Sequence, residues 1–160
     1  DPRWCRAWND IELLINPNGP LVEAGSDGDN GQTGRKLVMD YYGPRVPIGG
    51  GALSGKDLAH IDRAGAYAAR RAAVDAVQSG AKSCQVTLVY APNLDEPLDV
   101  CYAMEGRGER WSMDAFRQER IRVLTAGFRN PGQLGSGSHF FDRALPWNQP
   151  ELTREGVKSL

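Results

Sequence analysis

Histidine is scarce in this chain, with only His60 and His139 present, and the cysteines are few. Cys5, Cys84 and Cys101 form neither an even disulfide set nor a metal-ligand spacing, so a zinc centre of Cys and His has little to build on. Cys84 and Cys101 fall in apolar runs that read as strands, and all three are expected as buried thiols in a reducing compartment. No apolar run approaches the roughly 18 residues of a membrane span, and no signal-peptide pattern is present. A soluble, cytoplasmic protein is the expectation. Excess charge is missing too: 19 basic and 20 acidic residues leave a net charge of −1. That balance argues against nucleic-acid binding by broad phosphate neutralisation, so any anion site must be local.

What the chain does have is glycine, 19 residues, dense from Gly19 to Gly55 and again from Gly127 to Gly137. With 160 residues and 41% apolar content it can bury its own core, and residues 1–160 are expected as one domain. Gly49-Gly50-Gly51-Ala52-Leu53-Ser54-Gly55-Lys56-Asp57 is the most informative stretch. A glycine-rich turn can aim several N–H groups at one oxyanion while a lysine supplies full positive charge. Gly50 to Lys56 fits the Gly-x4-Gly-Lys core of a phosphate loop, but two features exclude an ordinary one. Asp57 stands where a magnesium-binding hydroxyl belongs, and the preceding Pro44-Arg45-Val46-Pro47 is no buried strand.

Residues 58–79 show helical spacing, with Leu58, Ile61, Ala64, Ala68, Ala72 and Ala76 on one side. Asp57 suits the N-cap and Gly80 the stop. The small buried stripe implies close approach to a sheet formed by residues 84–91 and 98–104, a hairpin around Pro92 to Pro97. Ile11 to Ile15 and Leu21-Val22 read as two strands across the Asn16-Pro17-Asn18-Gly19 turn. Thr33 could cap a short helix through Tyr41, with Leu37-Val38-Met39 also readable as strand, and Ser112 could cap one running from Met113 to about Ala126. The tail after Phe128 is loop-like. The fold class expected is α+β, a two-layer α/β sandwich of mixed or antiparallel sheet with helices on one face.

Asp29, Arg35, Lys36, Lys56, Asp57, His60 and Asp62 all lie in or beside the glycine-rich loops and at helix starts. Backbone N–H groups there already favour anions, which makes a polyphosphate site plausible. Arg35 would clamp oxygens with a fork and Lys36 act as a point charge. Asp29 and Asp62 are candidates for a substrate amine or ribose and for magnesium, a hard cation that takes carboxylate and phosphate oxygens together. Read singly, these residues are more often caps or solvated surface charges, and His60 a structural or solvent-facing ring.

The blocks Gly28-Asp29-Asn30-Gly31-Gln32-Thr33-Gly34-Arg35-Lys36 and Gly49 to Asp57, followed by Asp62-Arg63-Ala64 and Ala66-Tyr67-Ala68-Ala69-Arg70, resemble S-adenosylmethionine synthetase in order and spacing. Asn16-Pro17-Asn18-Gly19, Tyr90-Ala91, His139-Phe140 and Pro146-Trp147 extend the resemblance over nearly the whole chain. It matches only the carboxy-terminal portion of such an enzyme, about its last two-fifths.

The resemblance implies ATP:L-methionine S-adenosyltransferase activity, a step of one-carbon metabolism. Methionine sulfur attacks the 5′ carbon of ATP, and the released tripolyphosphate is then hydrolysed at the same site. It implies Arg35, Lys36 and Lys56 as catalytic residues, and Asp29, Arg35, Lys36, Ala52 and Lys56 as the ATP and polyphosphate site. It further implies Asp29 and His60 at methionine, Asp62 at metal, and Mg2+ and K+ as cofactors. The partners implied are ATP, L-methionine and a homo-oligomer, dimer or tetramer, or else an amino-terminal partner chain; no nucleic acid and no membrane are expected. The sequence departs from the family pattern at Leu21 for an adenine-stacking phenylalanine, His60 for a lysine at the methionine carboxylate, Pro92 for an isoleucine and Ser26-Asp27 for an apolar pair, and the segment between Phe128 and His139 is shorter than usual. The amino-terminal His-Pro-Asp motif and its acidic ligands are not in this sequence. The chain is thus expected to be inactive alone, with two alternatives: a non-catalytic assembly module retaining the fold, or a lone polyphosphate hydrolase.

Overall fold

The structure, a computed structural model, describes residues 7–20, 22–23, 25–27, 41–47, 49, 52–53, 55–128, 134 and 138–149. Its organising element is the helix α1, Ile61–Gln78. Ala64, Ala68 and Ala72 recur every fourth position and are fully buried. Alanine gives up no side-chain entropy in a helix, and its small size lets the backbone lie close to a neighbouring layer. The helix stops at Ser79, followed by Gly80 at φ +124°, a conformation that glycine reaches without strain.

The N-terminus differs from expectation. His60, not Asp57, is the cap: its backbone is extended and its ring Nδ1 accepts the Asp62 N–H at 3.2 Å. Asp57 sits a few residues upstream, where its carboxylate accepts the Ala59 N–H at 2.8 Å and its carbonyl the His60 N–H at 3.1 Å. An aspartate that folds onto its own local turn is satisfied before the helix begins.

The strands β1, Ala81–Val89, and β2, Asp99–Gly106, pair antiparallel, with Cys84 opposite Met104 and Val89 opposite Asp99. Val86, Leu88, Val100 and Tyr102 pack with the alanine stripe, Phe116 and Ile121. The alternate face carries Gln85, Thr87, Cys101 and Ala103. The architecture is α+β, helices against one face of a two-stranded antiparallel sheet, as the sequence implies. The thiols differ from expectation: Cys101 is exposed and Cys84 only partly buried, and both are free. Cys101 falls on the uncovered face because side chains alternate along a strand. Cys5 lies outside the described residues.

Residues 113–126 form three short pieces rather than one helix: a 3-10 turn at Met113–Phe116, α2 at Gln118–Ile121 and α3 at Val123–Ala126. Arg117 is extended, ψ 140°, and the Gln118 N–H is taken by the Asp95 carbonyl at 2.9 Å. Contacts with the hairpin loop override local helical preference there. Ile11, Leu13, Leu14 and Ile15 are exposed and not in a strand, although the turn after them forms, with the Gly19 N–H on the Asn16 carbonyl at 2.7 Å. A strand needs a neighbour for its backbone groups, and among the described residues only β1 and β2 pair. The expected helix from Thr33 lies outside the described residues. None of the helices described is long and apolar enough to cross a membrane.

A second core lies on the adjoining face of α1. Leu53, Tyr67, Leu134, Phe140, Leu145 and Trp147 are buried together, with Tyr41, Tyr42 and Phe128 packed against them. This core ties the loop before α1 and the closing segment 138–149 to one helix.

Candidate functional site

Lys56 and Asp62 form an ion pair at the start of α1. The lysine comes from the loop after the glycine run and the aspartate from the first helical turn, where the helix dipole favours a carboxylate. Their side chains are 17% and 35% exposed, so the pair is reachable without being fully solvated. The exposed His60 ring stands 3.8 Å from the Asp62 carboxylate. Because Nδ1 accepts the Asp62 N–H, the ring proton belongs on Nε2 in this arrangement.

Asp62 and His60 line a cleft of ≈ 930 Å³ between α1, β1 and the segment around Tyr42. Pro92 borders the same cleft. Gly65 and Ala69 leave the helix wall low, and Arg70 lines the far side. Arg70 is held by Asn148 Oδ1 at 3.0 Å and the Phe140 carbonyl at 3.2 Å, and lies 5.8 Å over the Tyr42 ring. Burial pushes the Tyr42 phenol up to about 12, with Arg70 opposing, so the phenol remains neutral at physiological pH.

The loop is anchored from beneath. Ala52 and Leu53 are buried, and Leu53 packs against Tyr67 in the second core. The Arg63 guanidinium donates through Nη1 to the Lys56 carbonyl at 2.6 Å and through Nε to Tyr67 Oη at 3.0 Å. Tyr67 Oη lies 2.9 Å from His139 Nδ1. The Trp147 indole donates to the His139 carbonyl, as does Asn148 Nδ2 at 3.1 Å. One turn along the helix, Arg71 donates to the Pro146 carbonyl and pairs with Asp75, Nε to Oδ1 at 3.3 Å. Burial lowers the Arg71 pKa, and Asp75 opposes the shift.

Of the residues singled out in the sequence, Lys56, His60 and Asp62 come together, and Ala52 is buried at the foot of their loop. Asp29, Arg35, Lys36 and Leu21 lie outside the described residues. Sequence reasoning quoted Arg63, Tyr67 and His139 but gave them no role. The available signal was the i, i+4 spacing of Arg63, Tyr67 and Arg71 beside the alanine stripe, which puts three large polar side chains on a face bordering the buried one.

A helix layer on an antiparallel hairpin, with the lysine-bearing segment clamped at the helix start, defines an α+β domain. Residues 24–123 match the family model of the S-adenosylmethionine synthetase C-terminal domain. The chain belongs to the S-adenosylmethionine synthetase family. It is 34% identical to the S-adenosylmethionine synthase of Chlorobium phaeobacteroides over 93% of this chain and 41% of that protein. A solved structure titled an unusual S-adenosylmethionine synthetase from Campylobacter jejuni shares 30% identity at a TM-score of 0.62, covering 97% of this chain and 45% of that one. The chain therefore spans less than half the length of these two relatives.

Proposed function

We propose that this chain, as one domain over residues 1–160, supplies the carboxy-terminal part of an ATP:L-methionine S-adenosyltransferase. The observation that carries the reading is the ion pair that Lys56 makes with Asp62, a carboxylate that lines the cleft together with His60 and Pro92. A triphosphate leaving group calls for cations held in place before the reaction, since fixed charge costs no reorganisation during it. Lys56, with Arg35 and Lys36, binds the polyphosphate and is catalytic in that sense; Ala52 and Asp29 contact the nucleotide. Asp29 and His60 receive methionine. His60 offers Nε2 where the family has a lysine, which makes the carboxylate contact a hydrogen bond rather than a fixed charge pair.

Asp62 is the residue we assign to Mg2+. Its chemistry fits, because magnesium commonly takes one or two carboxylates and completes its shell with substrate phosphates and water. Among the described residues no group of three or more His, Cys, Asp or Glu could hold a metal, so Asp62 acts as a contributor rather than a full cage. Bound magnesium supplies charge that stabilises the departing polyphosphate. Potassium is implied by the family resemblance, and we assign it no residue. The remaining ligands come from outside residues 1–160, from other parts of a longer chain, a second copy in a dimer or tetramer, or an amino-terminal partner chain, so residues 1–160 by themselves are inactive. Its free thiols suit a reducing cytoplasm.

Isothermal titration of the chain with tripolyphosphate and magnesium tests this reading. Binding is expected, and Lys56→Ala is expected to weaken it at least tenfold, about 1.4 kcal/mol. Absence of binding by the wild-type chain would sink it. Adenosyl transfer restored by an amino-terminal chain would exclude a non-catalytic assembly module, and phosphate released from tripolyphosphate by the chain alone would favour a lone hydrolase.

A further inference from the structure

We propose that Arg63, Tyr67 and His139 form a buried positioning chain that sets the backbone of Lys56 for anion binding. Arg63 and His139 are 4% and 1% exposed, and Tyr67 is fully buried. The chain begins at the Lys56 carbonyl itself, 2.6 Å from Arg63 Nη1, runs through Nε to Tyr67 Oη at 3.0 Å, and reaches His139 Nδ1 at 2.9 Å. A guanidinium can only donate, so the tyrosine oxygen accepts from Arg63, and the direction of its bond with His139 Nδ1 is set by the histidine tautomer. Each link fixes the orientation of the next, and the closing segment thereby constrains a loop far from it in sequence.

Packing alone does not account for this arrangement. Leu53 already pins the loop to the core, and an apolar side chain at position 63 would extend that packing without burying a cation. Among the described residues no carboxylate pairs with Arg63; neutral oxygens from Lys56 and Tyr67 receive its hydrogen bonds. A buried positive charge left without a counter-charge adds positive potential beneath the Lys56 loop, which suits a site that awaits an anionic ligand. Arg63, Tyr67 and His139 are positioning residues: they act through Lys56 and need not touch substrate. The inference rests on the polyphosphate reading of Lys56, and its test separates the two.

The test uses Tyr67→Phe, which keeps the ring and removes the oxygen, and Arg63→Lys, which keeps the charge and loses the fork. Amine acylation is followed by mass spectrometry in ligand-free protein held well below each variant's unfolding midpoint, with exposed Lys82 as internal control. Both variants are expected to raise Lys56 acylation about fivefold or more and leave Lys82 unchanged, and to weaken tripolyphosphate binding about tenfold. Unchanged Lys56 acylation in both variants, or an equal change at Lys82, overturns the positioning role. If Lys56 is released in the variants while the wild-type chain binds no tripolyphosphate, the phosphate reading falls and the clamp on Lys56 stands.

Discussion

Tyr67 lies flat on Trp147, ring centroids 3.8 Å apart and planes within 3° of parallel, so helix α1 and the closing segment meet through an aromatic stack. Both rings are fully buried, in the same core as Leu53. Trp147→Ala is expected to cost about 3–5 kcal/mol of unfolding free energy, measured by urea denaturation. Trp147→Phe should cost less, about 1–3 kcal/mol. The ring is partly replaced, and the His139 carbonyl that loses the indole donor keeps Asn148 Nδ2 at 3.1 Å. Equal losses for the two variants would show that the indole hydrogen bond, not ring packing, dominates.

Two glycines respond oppositely to alanine. A Cβ at Gly65, inside α1, would meet Tyr90 Cε2 at 3.6 Å and Ile61 Cδ1 at 3.7 Å, ordinary contact distances. Gly65→Ala is therefore expected to stabilise by roughly 0.5–1 kcal/mol through lower unfolded-state entropy. At Gly108 the same atom would fall 2.2 Å from the Ala76 carbonyl oxygen, which belongs to helix backbone and cannot swing aside. Gly108→Ala should destabilise by about 1–3 kcal/mol. Thermal midpoints moving in opposite directions are the readout.

How much of this was legible in the sequence depended on the kind of contact involved. The alanine spacing of α1 and the two apolar runs of the hairpin have local periods, and both elements form with bounds shifted by a few residues. The buried stripe Arg63, Tyr67, Arg71 was hidden because charged residues beside a helix face read as solvated until the carbonyls of Lys56 and Pro146 are brought over them. The cap moved from Asp57 to His60 because a local aspartate turn competed for the same backbone groups. Lys56 and Asp62 were legible by motif, yet their pairing is a fact of tertiary structure; Asp29, Arg35 and Lys36 lie outside the described residues.

Alkaline pH should loosen the fold. Burial pushes the Tyr42 and Tyr102 phenols up to about 12 from 10, and it raises Tyr90 as well. Below the unfolded value the phenols are protonated in both states and contribute no slope. Between the two values the unfolded chain releases protons that the folded chain keeps, so stability falls as pH rises. The urea midpoint is expected to drop between about pH 10 and about pH 12, and absorbance titration should show these phenols ionising only as the chain unfolds. An unchanged midpoint would mean that these rings are accessible to water.

The two described thiols should react unequally. Cys101 is exposed on the uncovered sheet face, while Cys84 is partly buried and its thiol pKa is raised by burial, with Arg110 opposing. Because the thiolate is the reacting species, access favours Cys101 and the raised thiol pKa slows Cys84. Maleimide labelling followed by peptide mapping is expected to modify Cys101 about tenfold faster than Cys84. Comparable rates would place Cys84 in a more open environment than β1 gives it.

The Lys56–Asp62 pair makes a sign prediction that separates phosphate binding from metal binding. Without magnesium, Asp62 offsets part of the Lys56 charge and repels an arriving polyphosphate, the more so because both side chains are partly shielded from water. Asp62→Asn should then bind metal-free tripolyphosphate more tightly than the wild-type chain, by about fivefold. With magnesium present the order should reverse, because the variant has lost the carboxylate that would share the metal with the phosphates. Lys56→Ala should weaken binding in both conditions. Titrations of the three proteins with and without magnesium read all of this directly, and an Asp62→Asn variant weaker than wild type in the absence of metal would show that the aspartate serves mainly to orient Lys56.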